Sequence, residues 1–207
     1  VEAGMILADV QAEAAQVDRL FPLSLASEGT ARIGGNLAAN AGGISVLRYG
    51  NARDLCLGLE AVLADGSVHH GMKRLRKDNT GYDLRHLLIG SEGTLGIITA
   101  ASLRLFPQPA ISVTALLAVP DPAAALRLLT LCQTRLPGMI NAFELIHRMG
   151  FDFLAATMPE VTCPFDAPPD WCALLDLGLP SAFEAEAVMA GIYAEGEDLG
   201  LVQDGVI

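Results

Sequence analysis

The opening segment of the chain carries two apolar patterns of different period. Residues 2–7 are interpreted as a strand. Residues 8–21 then carry apolar side chains at helical spacing, at Val10, Ala14, Val17 and Phe21. Side chains at this spacing share one face of a helix, so the pattern predicts a short strand followed by an amphipathic helix.

A hairpin pattern follows in the same half. Residues 55–63 alternate loosely between apolar and polar side chains, and Asp65-Gly66, a pair typical of two-residue hairpin turns, comes next. Residues 67–70 are expected to return along the first strand. β-branched side chains predict a further strand over residues 94–105. The first half is therefore predicted to be α+β with mainly antiparallel strands.

The second half predicts a different order of elements. Strand, helix, strand, strand, helix and strand are expected over residues 111–119, 122–136, 139–146, 171–177, 182–194 and 201–206, with a short helix and a proline-rich loop before the third strand. This is the order of the ferredoxin-like fold. Because the sequence stops at the last strand without a polar tail, this domain is expected to be truncated.

Glycine density changes sharply near residue 107. Glycines are frequent before this point, and the Pro107-Gln108-Pro109 segment, which stiffens the chain and removes backbone donors, follows them. We therefore predict two domains, residues 1–107 and residues 108–207.

Composition narrows the class of protein. Of the 207 residues, 52% are hydrophobic, which is enough to form a sizeable core. Only 18% are charged, and this composition excludes a disordered chain. No apolar run is long enough to cross a bilayer, so a soluble protein without an integral membrane segment is expected. The four cysteines form no CxxC pair, which favours reduced thiols and a cytoplasmic location.

Negative charge is concentrated in the second half. Residues 1–110 hold 10 Lys and Arg against 11 Asp and Glu, whereas residues 111–207 hold 3 against 13. The second half would repel phosphates, so nucleic acid is not an expected partner. A short basic cluster, residues 73–77, is interpreted as a solvated loop rather than an anion or membrane site.

The segment from Gly29 to Gly43 is the first candidate for chemistry. It contains two Gly-Gly pairs, and Asn36 and Asn40 lie between them. Glycine allows backbone amides to turn toward a ligand and form an anion-binding nest, so this loop could hold a diphosphate without a lysine. The alternative is that these residues only build tight turns, and the composition alone favours neither interpretation.

A second motif covers residues 76–99. Gly90, Gly93 and Gly96 recur every three residues and leave room for a flat ligand or another backbone. Glu92 lies among them and needs partners if it is buried. The chain contains neither GxGxxG nor GxxxxGK[ST], so a Rossmann site is not supported and a P-loop is excluded.

Five pieces of the sequence together carry a family resemblance. They are Ile33-Gly34-Gly35-Asn36, Ala39-Asn40-Ala41-Gly42-Gly43, Arg48-Tyr49-Gly50, residues 77–84 (KDNTGYDL) and residues 90–99 (GSEGTLGIIT). In order and spacing they resemble the FAD-linked oxidases, which share the FAD-binding fold of vanillyl-alcohol oxidase and p-cresol methylhydroxylase (the PCMH type). The D-2-hydroxyglutarate, D-lactate and glycolate dehydrogenases are the most similar branch. Residues 24–105 carry most of the similarity.

The resemblance implies a fold and a cofactor. Residues 1–107 would be the second part of a PCMH-type FAD-binding domain, and residues 108–207 the start of a ferredoxin-like substrate or cap domain. The implied FAD-binding residues are Pro22, Gly29, Thr30, Gly34, Gly35, Asn36, Asn40, Gly42, Gly43, Glu92, Gly93, Gly96, Ile97 and Ile98. Those up to Gly43 would line the diphosphate and isoalloxazine side, and those from Glu92 would approach the adenosine or ribityl part through backbone groups.

The resemblance also implies an activity. A D-2-hydroxy acid would be oxidised to the 2-oxo acid by hydride transfer to flavin N5. An electron acceptor is a further expected partner, and the protein is expected to form a homodimer. The family's first FAD subdomain should precede Val1 and its histidine motif should follow Ile207, so the catalytic residues are not assigned and the isolated chain is expected to be inactive. Ala39 stands where relatives usually carry threonine.

Other chemistry is not indicated by the spacing of histidines and cysteines. His69 and His70 are adjacent and would point to opposite faces of a strand, and no HxH or HxxxH spacing occurs, so no metal site is predicted. Asp83 is interpreted as a helix cap. Two alternatives to an enzyme stay open, namely a non-catalytic fragment that packs against a partner and an FAD electron-transfer subunit of the same fold.

Overall fold

The computed structural model describes residues 1–75 and 77–207. Arg76, which belongs to the basic cluster and begins the second motif, lies outside the described residues. The chain divides into two compact units, Val1–Gln108 and Pro109–Ile207. The sequence places its domain boundary one residue earlier. No helix within the described ranges has the length and apolar character needed to cross a membrane.

Unit 1 contains five helices and five strands in its described residues. They are α1 (Leu7–Ala15), β1 (Arg19–Leu20), α2 (Ile33–Ala38), α3 (Val46–Tyr49), α4 (Ala52–Leu55), β2 (Cys56–Val62), β3 (Val68–Gly71), α5 (Leu84–Leu88), β4 (Ile97–Leu103) and β5 (Phe106–Pro107). An antiparallel sheet has the order β3-β2-β4, and β1 pairs antiparallel with β5. The predicted α+β class with antiparallel strands is confirmed for this unit.

The predicted hairpin forms, but its turn is longer than predicted. Val62 pairs with Val68, and the Leu63 amide donates to the Ser67 carbonyl at 2.9 Å. Three residues, 64–66, therefore form the loop, with Gly66 in the left-handed region at a φ of 83°. A three-residue loop needs a left-handed residue in its last position, and Gly66 meets that need.

The predicted strand over residues 2–7 is wrong. The structure forms only isolated bridges at Glu2 and Ile6, and Leu7 already begins α1. The Ala3 amide donates to the Thr99 carbonyl at 2.8 Å, so this segment lies along β4 without becoming a regular strand. Distant partners decide this pairing, and a local pattern does not contain them.

The predicted helix over residues 8–21 ends early, at Ala15. Asp18 adopts a left-handed φ of 54°, which reverses the chain into β1. Val17 is exposed, and Phe21 is buried at a position that follows the end of β1, so their helical spacing is coincidental. Val10 and Ala14 do lie on the buried face of α1, as the pattern predicted.

Unit 2 has the predicted ferredoxin-like topology. Its elements are β6 (Ile111–Val119), α6 (Pro122–Arg135), β7 (Ile140–His147), α7 (Arg148–Thr157), β8 (Trp171–Leu179), α8 (Ala185–Asp198) and β9 (Asp204–Val206). The sheet order is β7-β8-β6-β9, and every pair is antiparallel. All four strands and both crossover helices of the motif are present in this unit, although β9 has three residues.

Successive side chains along the strands of unit 2 point to opposite faces of the sheet, and each face carries an apolar cluster. One face of the sheet packs on α6 and α8, with Leu117, Leu128, Leu175 and Met189 fully buried. The other face holds a smaller cluster formed by Ala118, Phe151, Phe165 and Cys172. Asp121 begins α6 by accepting a hydrogen bond from the Ala124 amide at 2.7 Å, with Pro122 in the first turn.

Burial is expected to protect three of the four thiols from alkylation. Loss of hydration raises the pKa of Cys56, Cys132 and Cys172 to about 11, so roughly one thiol in a thousand is ionised near pH 8. Cys163 is only partly buried. Iodoacetamide should therefore label Cys163 at least about tenfold faster than the others, as measured by peptide mapping of the folded chain. Equal rates at all four positions would contradict the burial described here.

Candidate functional site

The two glycine-rich motifs meet at the carboxyl end of α2. The Gly90 amide donates to the Leu37 carbonyl and the Glu92 amide donates to the Ala38 carbonyl, both at 3.0 Å. These bonds satisfy carbonyls that the end of a helix leaves without intrahelical partners. Two segments that are far apart in sequence therefore meet on one surface of unit 1.

The first motif is partly helical rather than an open loop. Gly34, Gly35 and Asn36 lie within α2. The Gly34 amide donates to the Ala3 carbonyl at 2.8 Å, and the Ile33 amide donates to the Met5 carbonyl at 3.0 Å. These two amides are used inside the protein, so the sequence-based idea of a run of inward amides does not describe the start of α2.

The glycines of the motifs divide into packed and open positions. A Cβ at Gly34 would lie 2.7 Å from the Ala3 Cβ, and one at Gly43 would lie 2.1 Å from the Ser24 carbonyl oxygen. A Cβ at Gly96 would come within 3.0 Å of the Val62 carbonyl oxygen. These three glycines permit close packing of the chain on itself.

The open positions are Gly29, Gly35 and Gly42. A Cβ built on any of them would meet no atom within 4 Å. Gly35 lies in a helix, where alanine is favoured over glycine by about 1 kcal/mol, so the fold of unit 1 gives no reason for glycine there. Close approach of a group from outside the chain does give such a reason.

Asn36 is the buried polar residue of this surface. The residue is 7% exposed, and its Nδ2 has no hydrogen-bond partner among the described residues. A buried donor without an acceptor costs about 1–3 kcal/mol. The Ser91 Oγ is also buried without a partner. Both atoms belong to the two motifs that the sequence associates with FAD, so the residues present fit a polar cofactor.

Asn40 and Arg53 hold the surface in shape. Asn40 adopts a left-handed φ of 49°, and its Oδ1 accepts a hydrogen bond from the Arg53 amide at 3.0 Å. The Arg53 guanidinium donates to the Ile89 carbonyl at 2.7 Å and also to the His86 carbonyl. Sequence reasoning missed Arg53, since no local pattern indicates that its side chain ties α4 to the segment before Gly90.

The other predicted site residues take varied positions in unit 1. Pro22 and Ile98 are buried, whereas Gly93 and Ile97 are exposed. Thr30 is exposed, and its hydroxyl donates to the Ser27 carbonyl at 3.3 Å. Glu92 is exposed with a left-handed φ of 51°, so its carboxylate is solvated and does not need the internal partners that burial would require.

A polar cavity of about 260 Å³ lies elsewhere in unit 1, and its lining includes His70, Asp83 and Arg85. Asp83 begins α5 by accepting a hydrogen bond from the His86 amide at 3.1 Å, as the helix-cap interpretation predicted. Partial burial works to raise the pKa of Asp83, but the bonds from Arg85 and the His86 amide hold that pKa below its ordinary value. No group of three metal-ligating side chains occurs within the described ranges.

Comparison with known proteins agrees with the resemblance seen in the sequence. The FAD binding domain family matches residues 1–71. The mitochondrial D-2-hydroxyglutarate dehydrogenase of Bos taurus is 39% identical over the whole chain, and the D-2-hydroxyglutarate dehydrogenase of Xanthomonas citri pv. viticola is 36% identical. The chain spans 38% and 43% of the lengths of these two relatives.

Solved structures show the same fold. Two structures of alkyldihydroxyacetonephosphate synthase superpose with TM-scores of 0.73 and 0.68, at 17% and 20% identity. They align with 97% and 96% of this chain, which corresponds to 38% and 39% of their own length. The match of residues 1–71 confirms the resemblance to FAD-linked proteins and FAD as the ligand of the matched domain, and the solved structures confirm the fold.

Proposed function

We propose that this chain supplies one wall of an FAD site in an enzyme that oxidises a D-2-hydroxy acid to the 2-oxo acid. The observation that carries the proposal is the buried, unpartnered Nδ2 of Asn36, in a motif where Gly35 and Gly42 leave open space around the backbone. The match of residues 1–71 to the FAD binding domain and the names of the curated relatives support it.

The chemistry that bound FAD would supply is the acceptance, at flavin N5, of a hydride from the α-carbon of the hydroxy acid. The contribution of this chain is to bind and orient. Asn36 would donate a hydrogen bond that replaces its missing internal partner, and Gly29, Gly35 and Gly42 would let the backbone approach the cofactor. Asn40 would act as a positioning residue by fixing α4 through the Arg53 amide.

The full set of cofactor-binding residues remains a proposal. The packed glycines Gly34, Gly43 and Gly96 would act by shaping the surface. Six further residues are proposed to contact FAD because of the family resemblance: Pro22, Thr30, Glu92, Gly93, Ile97 and Ile98. Unit 1 would be the FAD-binding portion and unit 2 the substrate or cap portion.

Three further features belong to the proposal. Electrons would leave the flavin for a separate acceptor, the protein would form a homodimer, and it would reside in the cytoplasm. The two named relatives are a mitochondrial protein and a bacterial one.

The direct test uses the full-length gene product that contains this chain. We expect it to be yellow, to release FAD on denaturation, and to form the 2-oxo acid from D-2-hydroxyglutarate with an artificial electron acceptor. D-Lactate and glycolate define the substrate range, and the L-enantiomer of 2-hydroxyglutarate is the control. A colourless product that cannot be reconstituted with FAD would overturn the proposal.

A second candidate function is packing against a partner without catalysis. Leu47 in α3 and Leu87 in α5 are 48% and 61% exposed, which leaves apolar side chains on the outside of unit 1. Concentration-dependent association of the gene product, with no flavin bound under any condition, would favour this candidate over the enzyme.

A further inference from the structure

Two cysteines of unit 2 meet in the small cluster on the sheet face opposite α6 and α8. Cys172 lies in β8, where its neighbour Ala173 points to the main core. Its own side chain therefore points to the other face, where it packs with Ala118, Phe151 and Phe165. Cys172 is fully buried there.

Cys163 packs against the same cluster from the segment between α7 and β8. It remains partly exposed, and it lies two residues before Phe165. The Phe165 ring contacts the Phe151 ring of α7 edge to face, with centroids 6.2 Å apart, so the segment after Cys163 packs in this cluster. Both cysteines therefore belong to one cluster. Cys172 is fully buried in it, and Cys163 packs against it while partly exposed.

Electrostatics agree with this proximity. Loss of hydration is the main reason why the pKa of Cys172 is raised to about 11, and repulsion from the neighbouring Cys163 raises it further. Cys132 shows the contrast, because burial alone raises its pKa and no second cysteine acts on it. Both Cys163 and Cys172 are free thiols.

We infer that Cys163 and Cys172 form a peroxide-sensitive pair that closes to a disulfide. Hydrogen peroxide oxidises the partly exposed Cys163 thiol to a sulfenic acid, and one water leaves. The Cys172 sulfur then attacks that sulfur, the S–S bond forms, and the sulfenic oxygen leaves as a second water. The two thiols lose two electrons and two protons in total, and the peroxide is reduced to water.

The structural consequence is a covalent link between β8 and the preceding segment. Residues 158–170 contain neither helix nor strand, so they can adjust while the two sulfurs approach. A disulfide at Cys163 would hold this segment on the cluster. The segment carries Glu160, Asp166 and Asp170, which are cleavage sites for an acidic-residue protease.

The test oxidises the reduced gene product with hydrogen peroxide, blocks the remaining thiols and maps the peptides without reduction. The tryptic peptide that begins at Met149 holds both cysteines, because no Lys or Arg follows Arg148 in this sequence. We expect this peptide to lose two hydrogen atoms and both alkylation sites together. Cleavage of residues 158–170 by the protease should slow by about tenfold after oxidation and recover with dithiothreitol.

Matched variants distinguish the pair from general oxidation. Cys163→Ala is expected to leave Cys172 reduced and to abolish the protection from protease, whereas Cys132→Ala should behave like the unchanged protein. The inference is overturned if peroxide leaves both thiols free, if Cys163 is oxidised only to the sulfinic acid, or if its disulfide forms between two molecules.

Discussion

Replacing Gly43 with alanine is expected to lower the free energy of unfolding of unit 1 by about 2–4 kcal/mol. Gly43 has a left-handed φ of 84°, which strains any residue that carries a Cβ. The new Cβ would also lie 2.1 Å from the Ser24 carbonyl oxygen, and a backbone atom cannot rotate away as a side chain can. Chemical denaturation followed by circular dichroism measures the loss.

Gly42→Ala is the matched control, since it makes the same substitution one residue earlier. A Cβ at Gly42 would meet nothing within 4 Å, and its φ is not in the left-handed region. We expect the free energy of unfolding to change by less than about 1 kcal/mol, while the retained FAD falls. If both variants lose the same free energy of unfolding, the description of Gly43 as packed and Gly42 as open is wrong.

These two glycines illustrate what the sequence could predict and what it could not. The Gly-Gly pairs could be identified from the sequence because the glycines are clustered and glycine has unusual backbone freedom. Gly43 is packed because Ser24, from another part of the chain, lies against it, whereas nothing lies against Gly42. Local composition contains no information on such contacts, so it left the turn and ligand interpretations open.

Unit 2 was the more predictable part of the fold. β6 was predicted at its observed bounds, Ile111–Val119, because apolar and polar side chains alternate at its start and an unbroken apolar run follows. Helix α6 begins at a clear signal, Asp121 followed by Pro122. Unit 1 has short elements, and residues such as Leu7 and Arg19 owe their conformation to partners far along the chain.

The site shows the same division. Asn36 was singled out from the motif, but its burial and its unpartnered Nδ2 follow only from the packing of α2. Arg53 carries no local signal, because its role depends on carbonyls of residues 86 and 89. Motifs therefore indicate candidate segments for a site, and packing decides the part that each side chain takes.

Asn36→Leu is expected to change cofactor binding and apoprotein stability in opposite directions. Leucine has nearly the shape of asparagine without its buried donor, so the unfolding temperature of the flavin-free protein should stay the same or rise. Affinity for FAD should fall by about 10- to 100-fold, because a hydrogen bond to a charged group contributes about 1.5–3 kcal/mol. Fluorescence titration of the flavin-stripped gene product with FAD measures this affinity.

Leu37→Met provides the control at the neighbouring position of α2, where a fully buried side chain changes shape but keeps its volume. It should leave the affinity for FAD within about twofold, so a loss confined to Asn36→Leu reports the donor and not a disturbed helix. If Asn36→Leu instead lowers the unfolding temperature while FAD binds as tightly as before, the amide serves the fold alone, and its buried nitrogen does not face the cofactor.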